Sequence, residues 1–339
     1  MTTRTITYRE AINEAIRLEM RRDPAVILMG EDVAGGAVTH LEKKGEEAWG
    51  GVLGVTKGLV QEFGRSRVRD TPISESAFIG AAVGAASTGL RPIAELMFVD
   101  FFGVCMDQIY NQGGKMRYMF GGKAKIPLVI RTLYGAGFRA AAQHSAVLYS
   151  VFTHMPGLKV VAPSTPYNAK GLLINAIRDD DLVIYLEHLV LLDSSGPVPE
   201  NDYVIPFGKA EIVRPGRDVT VVAIGRMRSF AMQAAEELAK ESIDVEVVDP
   251  QTLSPLDEST ILESVKKTHR LVVVDEDNPR CSVANDIVTL AAQQAFAYLD
   301  SAPRTVTAPH TPVPFSPPLE DAYIPSPAKI VAAVKETVA

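Results

Sequence analysis

The sequence predicts an α/β protein with two doubly wound domains, and three observations support that fold class. The chain has 339 residues, which is more than one ordinary hydrophobic core accommodates. Short apolar runs alternate with segments of helical periodicity through residues 7–187, and the alternation resumes after residue 207. Several of these runs are continuously apolar, which is typical of parallel strands buried on both faces. We therefore predict a first domain at 1–187, a linker at 188–206 and a second domain at 207–339.

The composition excludes several classes of protein. The formal charge is −7 and the chain has no dense Lys/Arg block, which argues against nucleic acid or an anionic membrane as partner. Asp100 and Asp107 interrupt the most apolar region, so we expect no transmembrane segment. The first residues lack the apolar core of a signal peptide. Only Cys105 and Cys281 are present and they lie far apart, so we expect no disulfide framework and a cytoplasmic location.

The first elements have clear boundary signals. Thr7 and Glu10 form a capping-box pattern at the start of a helix, which Pro24 ends. A buried strand is predicted at 26–29. A long segment rich in Gly and charge follows at 30–58 and includes the charged run 42–47. Loops of this length in compact domains are usually functional or disordered, and its apolar tip at Trp49 slightly favours a functional contact.

A strand at 67–69 leads into a turn and then a helix. Pro72 fixes the turn, and Ser74 or Ser76 is expected to cap the helix. The pattern leaves one carboxylate, Glu75, at the carboxyl end of a strand.

Glu75 is expected to have apolar neighbours in Ile73, Phe78 and Ile79. Ligands of open α/β sheets bind at the carboxyl ends of the strands, so Glu75 is a candidate functional residue. The alternative is that Glu75 only stabilises the positive end of a helix.

The remaining elements follow by periodicity. In the first domain we predict strands at 92–98, 127–133, 158–162 and 182–186, and helices at 100–120, 144–154 and 166–178. In the second domain we predict strands at 219–224, 245–248 and 271–274, and helices at 229–241, 259–267, 282–299 and 328–338. The proline-rich stretch 303–327 is expected to form an extended strap before the last helix.

A glycine-rich run at 135–140 fits the pattern G-x-G-x-x-A, which resembles a dinucleotide fingerprint. That fingerprint requires an acidic residue about 20 positions later, whereas 138–178 contains no Asp or Glu, so NAD binding is disfavoured. The run leads to His144, which we place at the start of a helix near the carboxyl ends of the strands, as for Glu75. Two ionisable groups at one edge favour a site, although a lone histidine is often structural.

An acidic helix end is predicted at 177–181. Carboxylates there oppose the helix dipole, and a bound cation would relieve that cost. The alternative is a solvated helix terminus.

Six segments together resemble a known family. They are Gly30-Glu31-Asp32, 70–75, 89–95, 142–145, 156–161 and 169–173. In sequence and order they resemble the beta subunits of thiamine-diphosphate-dependent 2-oxo acid dehydrogenase complexes, within the transketolase superfamily. The resemblance covers essentially the whole chain and implies a pyrimidine-binding-type parallel sheet followed by a transketolase C-terminal-type domain. Four further runs (49–58, 120–125, 275–281 and 308–316) resemble the acetoin dehydrogenase type rather than the pyruvate and branched-chain types.

The resemblance implies roles for individual residues. Glu75 would hydrogen-bond the pyrimidine ring of thiamine diphosphate, and sharing a proton with the ring nitrogen would favour the imino tautomer. Phe101 would pack near the pyrimidine, with Ile73 as a further cofactor contact. His144 would serve substrate binding and acyl transfer to lipoamide. A potassium site of mostly backbone oxygens would fall on Leu128, Ala176, Ile177, Asp179 and Asp181, where Asp181 replaces the usual Asn of the family.

The resemblance also implies partners. The family binds the diphosphate through magnesium on a G-D-G…N-N motif, and the chain contains no G-D-G. An alpha subunit would therefore supply that half of the site in an α2β2 heterotetramer, attached to a dihydrolipoyl acyltransferase core. The expected function is cleavage of acetoin with transfer of the acetyl unit to lipoamide. Alternatives are the beta subunit of pyruvate or branched-chain 2-oxo acid dehydrogenase, and a non-catalytic scaffold that binds the alpha subunit and the core.

Overall fold

The computed structural model describes residues 3–35 and 49–339. The charged run 42–47 of the predicted long loop lies outside the described residues. Contacts divide the chain into two compact units. Unit 1 comprises Met1–Leu133, His154–Glu187 and Leu191–Pro206, and unit 2 comprises Tyr134–Thr153, His188–Val190 and Phe207–Ala339.

The strands of the described chain, in order, are β1 Thr3–Thr7, β2 Val26–Gly30, β3 Val68–Asp70, β4 Arg91–Phe98, β5 Val129–Tyr134, β6 Lys159–Val161, β7 Val183–His188, β8 Ser195–Pro199, β9 Glu211–Arg214, β10 Val219–Ala223, β11 Val245–Asp249, β12 Thr252–Ser254, β13 Leu271–Val274 and β14 Arg304–Val306. The α-helices are α1 Tyr8–Arg22, α2 Leu59–Phe63, α3 Glu75–Ser87, α4 Gly114–Met119, α5 Tyr149–Thr153, α6 Pro166–Arg178, α7 Met227–Ala239, α8 Glu258–Thr268, α9 Val283–Gln294, α10 Pro317–Tyr323 and α11 Pro327–Val338.

Unit 1 is built on six neighbouring strands in the order β6-β7-β5-β4-β2-β3. The pairs β2–β3, β2–β4, β4–β5 and β6–β7 are parallel, as predicted. In this register Gly30 at the end of β2 lies opposite Asp70 of β3 and opposite Glu95 of β4. The carboxyl ends of these three strands therefore meet at one edge of the sheet.

Helix boundaries in unit 1 follow from local capping chemistry. The predicted capping box is present, because the Thr7 side chain accepts from the Glu10 amide while the Glu10 carboxylate accepts from the Thr7 amide at 2.7 Å. The Thr165 side chain caps α6 by accepting from the Asn168 amide. Pro166 occupies the first turn of α6, where the missing N–H costs nothing. Both helices begin where the sequence predicts.

The predicted helix at 100–120 is wrong as a single α-helix. The segment is instead a 3₁₀-helix at Val99–Cys105, a π-helix at Gln108–Gly113 and then α4. Gly113 is closely packed, because a Cβ there would lie 2.3 Å from Leu182 Cδ1. The glycines also lower the α-helix propensity of the stretch.

The segment predicted as a linker has regular structure in part. It contains a 3₁₀ turn at Leu189–Asp193 and strand β8, which pairs antiparallel with β1. The predicted boundaries at 188 and 206 stay a prediction.

Unit 2 has a five-stranded sheet in the order β14-β13-β10-β11-β9, with only β9 antiparallel. Its core packs β10, β11 and β13 against α7 and α11. The strap predicted at 303–327 is not fully extended, since it contains β14 and α10. The helix predicted at 282–299 ends already at Gln294. None of the helices in the described part of the chain combines the length and apolar character needed to cross a membrane.

Candidate active site

Glu75 is the first residue of α3, five positions after the end of β3, and its side chain is half-buried. A carboxylate in the first turn stabilises the positive end of the helix. The predicted serine cap is wrong. Ser74 makes no capping hydrogen bond with its side chain, and Ser76 Oγ donates to the Val104 carbonyl instead.

The apolar neighbours predicted around Glu75 differ in exposure. Phe78 and Ile79 are buried in the core, whereas Ile73 is 83% exposed. Ile73 therefore does not form an apolar wall within this chain, and its side chain is available to another molecule. Phe101 lies in the 3₁₀-helix Val99–Cys105, half-buried, with its ring edge-to-face against Phe98 at 5.8 Å between centroids.

A second carboxylate near Glu75 is Glu31, which directly follows β2. It is only 7% exposed, and its Oε1 atom has no hydrogen-bond partner among the described residues. Burial raises the pKa of Glu31, and the nearby charges of Glu75 and Glu95 raise it further. Glu31 is thus a buried acid near Glu75 that releases its proton less readily than an exposed glutamate. Its position after a predicted strand was the signal that could have identified it.

The third carboxylate of this edge, Glu95, belongs to a buried ion triad. Arg131 donates from Nη1 to Glu95 Oε2 at 2.8 Å and from Nε to Glu187 Oε1 at 2.6 Å. Arg131 and Glu187 are both 1% exposed. Burial opposes the charge of Arg131, but the two carboxylates together raise its pKa. The guanidinium therefore remains charged at every ordinary pH. A cleft beside this triad is lined in part by Gly51 and Met97.

His144 lies in unit 2, in a bend five residues before α5. The prediction that it begins a helix is wrong. Arg139 and Ala141 have φ values of +64° and +61°, so the backbone turns in the left-handed sense before His144. The His144 amide then donates to the Ala141 carbonyl at 3.4 Å. Such a turn is hard to predict, because L-residues rarely adopt it without surrounding contacts.

The two glycines of the G-x-G pattern have a packing role. Gly135 has φ +94°, and a Cβ there would lie 2.2 Å from His188 Nε2. Gly137 has φ +103°, and a Cβ there would lie 2.7 Å from Arg226 Nη1. Glycine is therefore required at both positions for the loop to pass over these side chains.

The five residues predicted to hold potassium lie together at the opposite edge of the unit 1 sheet. Leu128 precedes β5 and Asp181 precedes β7, so both lie at the amino ends of parallel strands, whereas Ala176 and Ile177 end α6. Lys159 Nζ lies 2.7 Å from Asp179 Oδ1 and 3.0 Å from Asp181 Oδ2.

These carboxylates already have cationic partners. Burial opposes ionisation of Asp181, but Lys159 and Arg117 lower its pKa. The Ile177 carbonyl accepts from Arg91 Nε at 2.8 Å. No three His, Cys, Asp or Glu side chains converge as a metal site within residues 3–35 and 49–339. A cation here would depend on carbonyl oxygens.

Comparison with known proteins relates both units to one family. Residues 4–192 match the transketolase pyrimidine binding domain, and residues 208–330 match the transketolase C-terminal domain. The chain is 60% identical to the acetoin:2,6-dichlorophenolindophenol oxidoreductase subunit beta of Bacillus subtilis (strain 168), covering 98% of this chain and 97% of that protein. The subunit of the same name from Cupriavidus necator is 61% identical, with 98% of each chain covered.

More distant relatives have other names. The pyruvate dehydrogenase E1 component subunit beta of Rhizobium meliloti is 46% identical over 98% of this chain and 69% of that protein. Among solved structures, a split-gene transketolase described as an inactive β4 tetramer superimposes with a TM-score of 0.76 at 21% identity, covering 98% of both chains. That likeness concerns the fold alone and agrees with the predicted class.

Proposed function

The chain belongs to the family of transketolase-type beta subunits from acetoin and 2-oxo acid dehydrogenases, and on that premise we propose that it cleaves acetoin with an alpha subunit and passes the acetyl unit to lipoamide. The observation that carries this proposal is the half-buried carboxylate of Glu75 at the carboxyl edge of the sheet. It lies in the segment that matches the pyrimidine binding domain. Acetoin is favoured as substrate because identity is higher to the acetoin-named subunits than to the pyruvate-named one.

The acids at this edge fit a nitrogen heterocycle. Glu31 has a buried oxygen without a hydrogen-bond partner among the described residues, and burial together with the charge of Glu75 raises its pKa. Carboxyl groups of this kind can share protons with ring nitrogens and exocyclic amines. When bound, thiamine diphosphate supplies the nucleophilic carbon and the electron sink that the cleavage of acetoin requires.

The residues of this chain then have separate roles. Glu75 holds a proton between its carboxylate and the pyrimidine ring nitrogen. Phe101 packs against the pyrimidine, and the exposed Ile73 completes the pocket. His144 binds the substrate and assists transfer of the acetyl unit to lipoamide.

The assembly is part of the same proposal. An alpha subunit holds the magnesium diphosphate, two copies of each subunit form an α2β2 heterotetramer, and the tetramer binds a dihydrolipoyl acyltransferase core. Ile73 and Tyr118 support a partner surface on unit 1, because they are 83% and 90% exposed. A cytoplasmic location is supported by Cys105 and Cys281, which are both unpaired.

Replacing Glu75 tests the catalytic role. In the assembled enzyme Glu75→Gln should lower the rate by on the order of 10²–10⁴, because an amide cannot share the proton in the same way. Glu258→Gln is a matched control, since Glu258 also opens a helix but is exposed. A wild-type rate in Glu75→Gln with assembly intact would leave only the scaffold alternative. Comparing kcat/KM for acetoin, pyruvate and a branched-chain 2-oxo acid assigns the substrate, and acetoin should give the highest value.

Potassium is a separate part of the proposal. The carbonyl oxygens of Leu128, Ala176 and Ile177 would hold the ion with Asp179 and Asp181, which Lys159 already neutralises. Potassium at the amino edge of the sheet would lie at the edge opposite to Glu75, so its role would be structural. The thermal midpoint should be higher in potassium chloride than in tetramethylammonium chloride, and equal midpoints would contradict the site.

A further inference from the structure

The loop that carries His144 is fixed at its beginning by two buried acids of unit 2. The Ala136 amide donates to Glu276 Oε1 at 2.7 Å, and the Gly137 amide donates to Glu320 Oε1 at 2.6 Å. Glu276 and Glu320 are 2% and 0% exposed. Hydrogen bonds from backbone amides to buried carboxylates are charge-assisted and strong, so this part of the loop has one defined position.

Glu320 also holds the loop through a side chain. Its second oxygen, Oε2, accepts from Arg139 Nη1 at 2.8 Å. The same guanidinium donates to the Pro317 carbonyl at 3.1 Å and to Asp321 Oδ1 at 2.6 Å. The buried carboxylate of Glu320 on α10 therefore holds the loop by two hydrogen bonds, one to Gly137 and one to Arg139.

The backbone between Arg139 and His144 is strained at two residues. Arg139 and Ala141 both have positive φ values, which are unfavourable for L-residues. Such conformations persist only where the surroundings enforce them. The contacts of Arg139 with α10 supply that enforcement. The His144 amide bonds to the carbonyl of Ala141, so the direction of the histidine depends on the strained turn.

We propose that Glu320, acting through Arg139 and the Gly137 amide, is a positioning residue for His144. This inference rests on the proposed role of His144 in acetyl transfer. Glu320 does not touch the reacting atoms. It holds the left-handed turn that gives His144 its place, and without it the loop relaxes toward ordinary backbone conformations.

A double-mutant cycle in the assembled enzyme tests the inference. Glu320→Gln, His144→Ala and the double variant are compared by the rate of lipoamide acetylation. Glu320→Gln should slow acetylation on the order of 10–100-fold, because small displacements of a reacting group have effects of that size. The double variant should be no slower than His144→Ala, since Glu320 acts through the histidine. Hydrogen exchange of a peptide covering 135–148 should be faster in Glu320→Gln than in wild type.

Two further variants make the test specific. Arg139→Gly removes the guanidinium but makes a positive φ easier to adopt. It should still slow acetylation and speed hydrogen exchange in the loop, because the contact with Glu320 holds the turn. A wild-type rate in Arg139→Gly would overturn the positioning role. Glu237→Gln is the control, because Glu237 is an exposed carboxylate on α7 and should leave both the rate and the exchange unchanged.

The results distinguish the proposed role of His144 from the positioning role of Glu320. An unchanged rate in His144→Ala would remove the proposed role of His144 and this inference with it. If His144→Ala is slow, three results would overturn the positioning role alone. These are a wild-type rate in Glu320→Gln, additive losses in the double variant, and unchanged hydrogen exchange at 135–148.

Discussion

Burial and hydrogen-bond donors act in opposite directions on the buried carboxylates of this chain, and the balance differs from site to site. Asp277 and Asp257 are each 4% exposed. Burial raises the pKa of Asp277 to about 6, and burial with the charge of Asp277 raises the pKa of Asp275 to about 7. Burial also disfavours the charge of Asp257, but donors led by the Ala210 amide lower its pKa to about 2. Asp275 and Asp277 therefore titrate near neutral pH, whereas Asp257 stays ionised.

This difference predicts a pH dependence of stability. The folded pKa values of Asp275 and Asp277 lie above the ordinary value of 3.8, so the folded state binds their protons more tightly. Their contribution is complete below about pH 4 and is lost as the pH rises through 6 to 7. The free energy of unfolding should fall over that range.

The variant Asp277→Asn should reduce this loss. It removes one titrating group and the charge that raises the pKa of Asp275. Urea unfolding followed by circular dichroism at pH 5 and pH 8 should show a loss smaller than wild type by at least about 1 kcal/mol. The exposed Asp286 provides the control, because Asp286→Asn should leave the loss unchanged. Equal losses in wild type and Asp277→Asn would contradict the assignment.

Residue-scale prediction succeeded where the signal was local. Glu75 was located at the strand–helix junction because Pro72 and the following apolar run mark that junction in the sequence. Glu31 was missed as a perturbed acid, since the charges that raise its pKa include Glu95, 64 positions away. The turn before His144 was also missed, because it depends on Arg139 contacting α10. The catalytic roles of Glu75 and His144 stay predictions.

Strand β8 is attached to unit 1 by a buried lysine on α6. Lys170 is 0% exposed, and its ammonium group donates to Glu14 Oε1 at 2.7 Å. It also donates to the carbonyls of Pro199 at 2.6 Å, Glu200 at 3.2 Å and Asn201 at 2.9 Å. Four acceptors surround the three N–H groups of lysine, so the buried charge is fully hydrogen-bonded.

Removing this lysine should therefore be costly. Lys170→Met keeps the stem but removes the buried partner of Glu14, which retains only Arg4 among the described residues, and takes the lysine donor away from three carbonyls. Losing one member of a buried pair typically costs about 3–5 kcal/mol, and we expect a loss of that size in urea unfolding. A glutamate-specific protease should also cleave after Glu200 more readily. Lys240→Met is the control on an exposed residue, and a loss below about 1 kcal/mol in Lys170→Met would contradict the argument.

Elements with caps and long apolar runs were predictable, and elements that depend on distant partners were not. Helix α6 has the predicted bounds because Thr165 and Pro166 specify its start. Strand β13 also has the predicted bounds, as a continuous apolar run. Strands β1 and β8 were not predicted, since their only signal is their pairing across nearly 200 positions. The π-helix at Gln108–Gly113 ends at Gly113, which packs against Leu182, a residue that is distant in the sequence.

At the scale of the whole molecule, unit 1 has apolar side chains that its own fold leaves uncovered. Ile73, next to the candidate site, is 83% exposed, and Tyr118, Met119 and Phe120 are 90%, 71% and 59% exposed. Clusters of large exposed apolar residues usually mark interaction surfaces. The position of Ile73 two residues before Glu75 indicates that such a partner would also complete the cofactor pocket.

The purified chain alone should therefore not bind thiamine diphosphate with magnesium. Glu75 contacts only the pyrimidine end in our proposal, and the sequence lacks the G-D-G motif with which the family holds the magnesium diphosphate. Contacts with the pyrimidine end alone are too few to offset the entropy lost on binding a flexible cofactor. Isothermal titration of the chain alone should show no measurable heat of binding, whereas titration of the chain mixed with its alpha partner should show saturable binding.

Glu75→Gln should weaken that binding in the mixture, and Glu258→Gln should leave it unchanged. Tight binding by the chain alone would contradict the division of the site between two subunits, while absence of binding in both samples would contradict thiamine diphosphate as the cofactor.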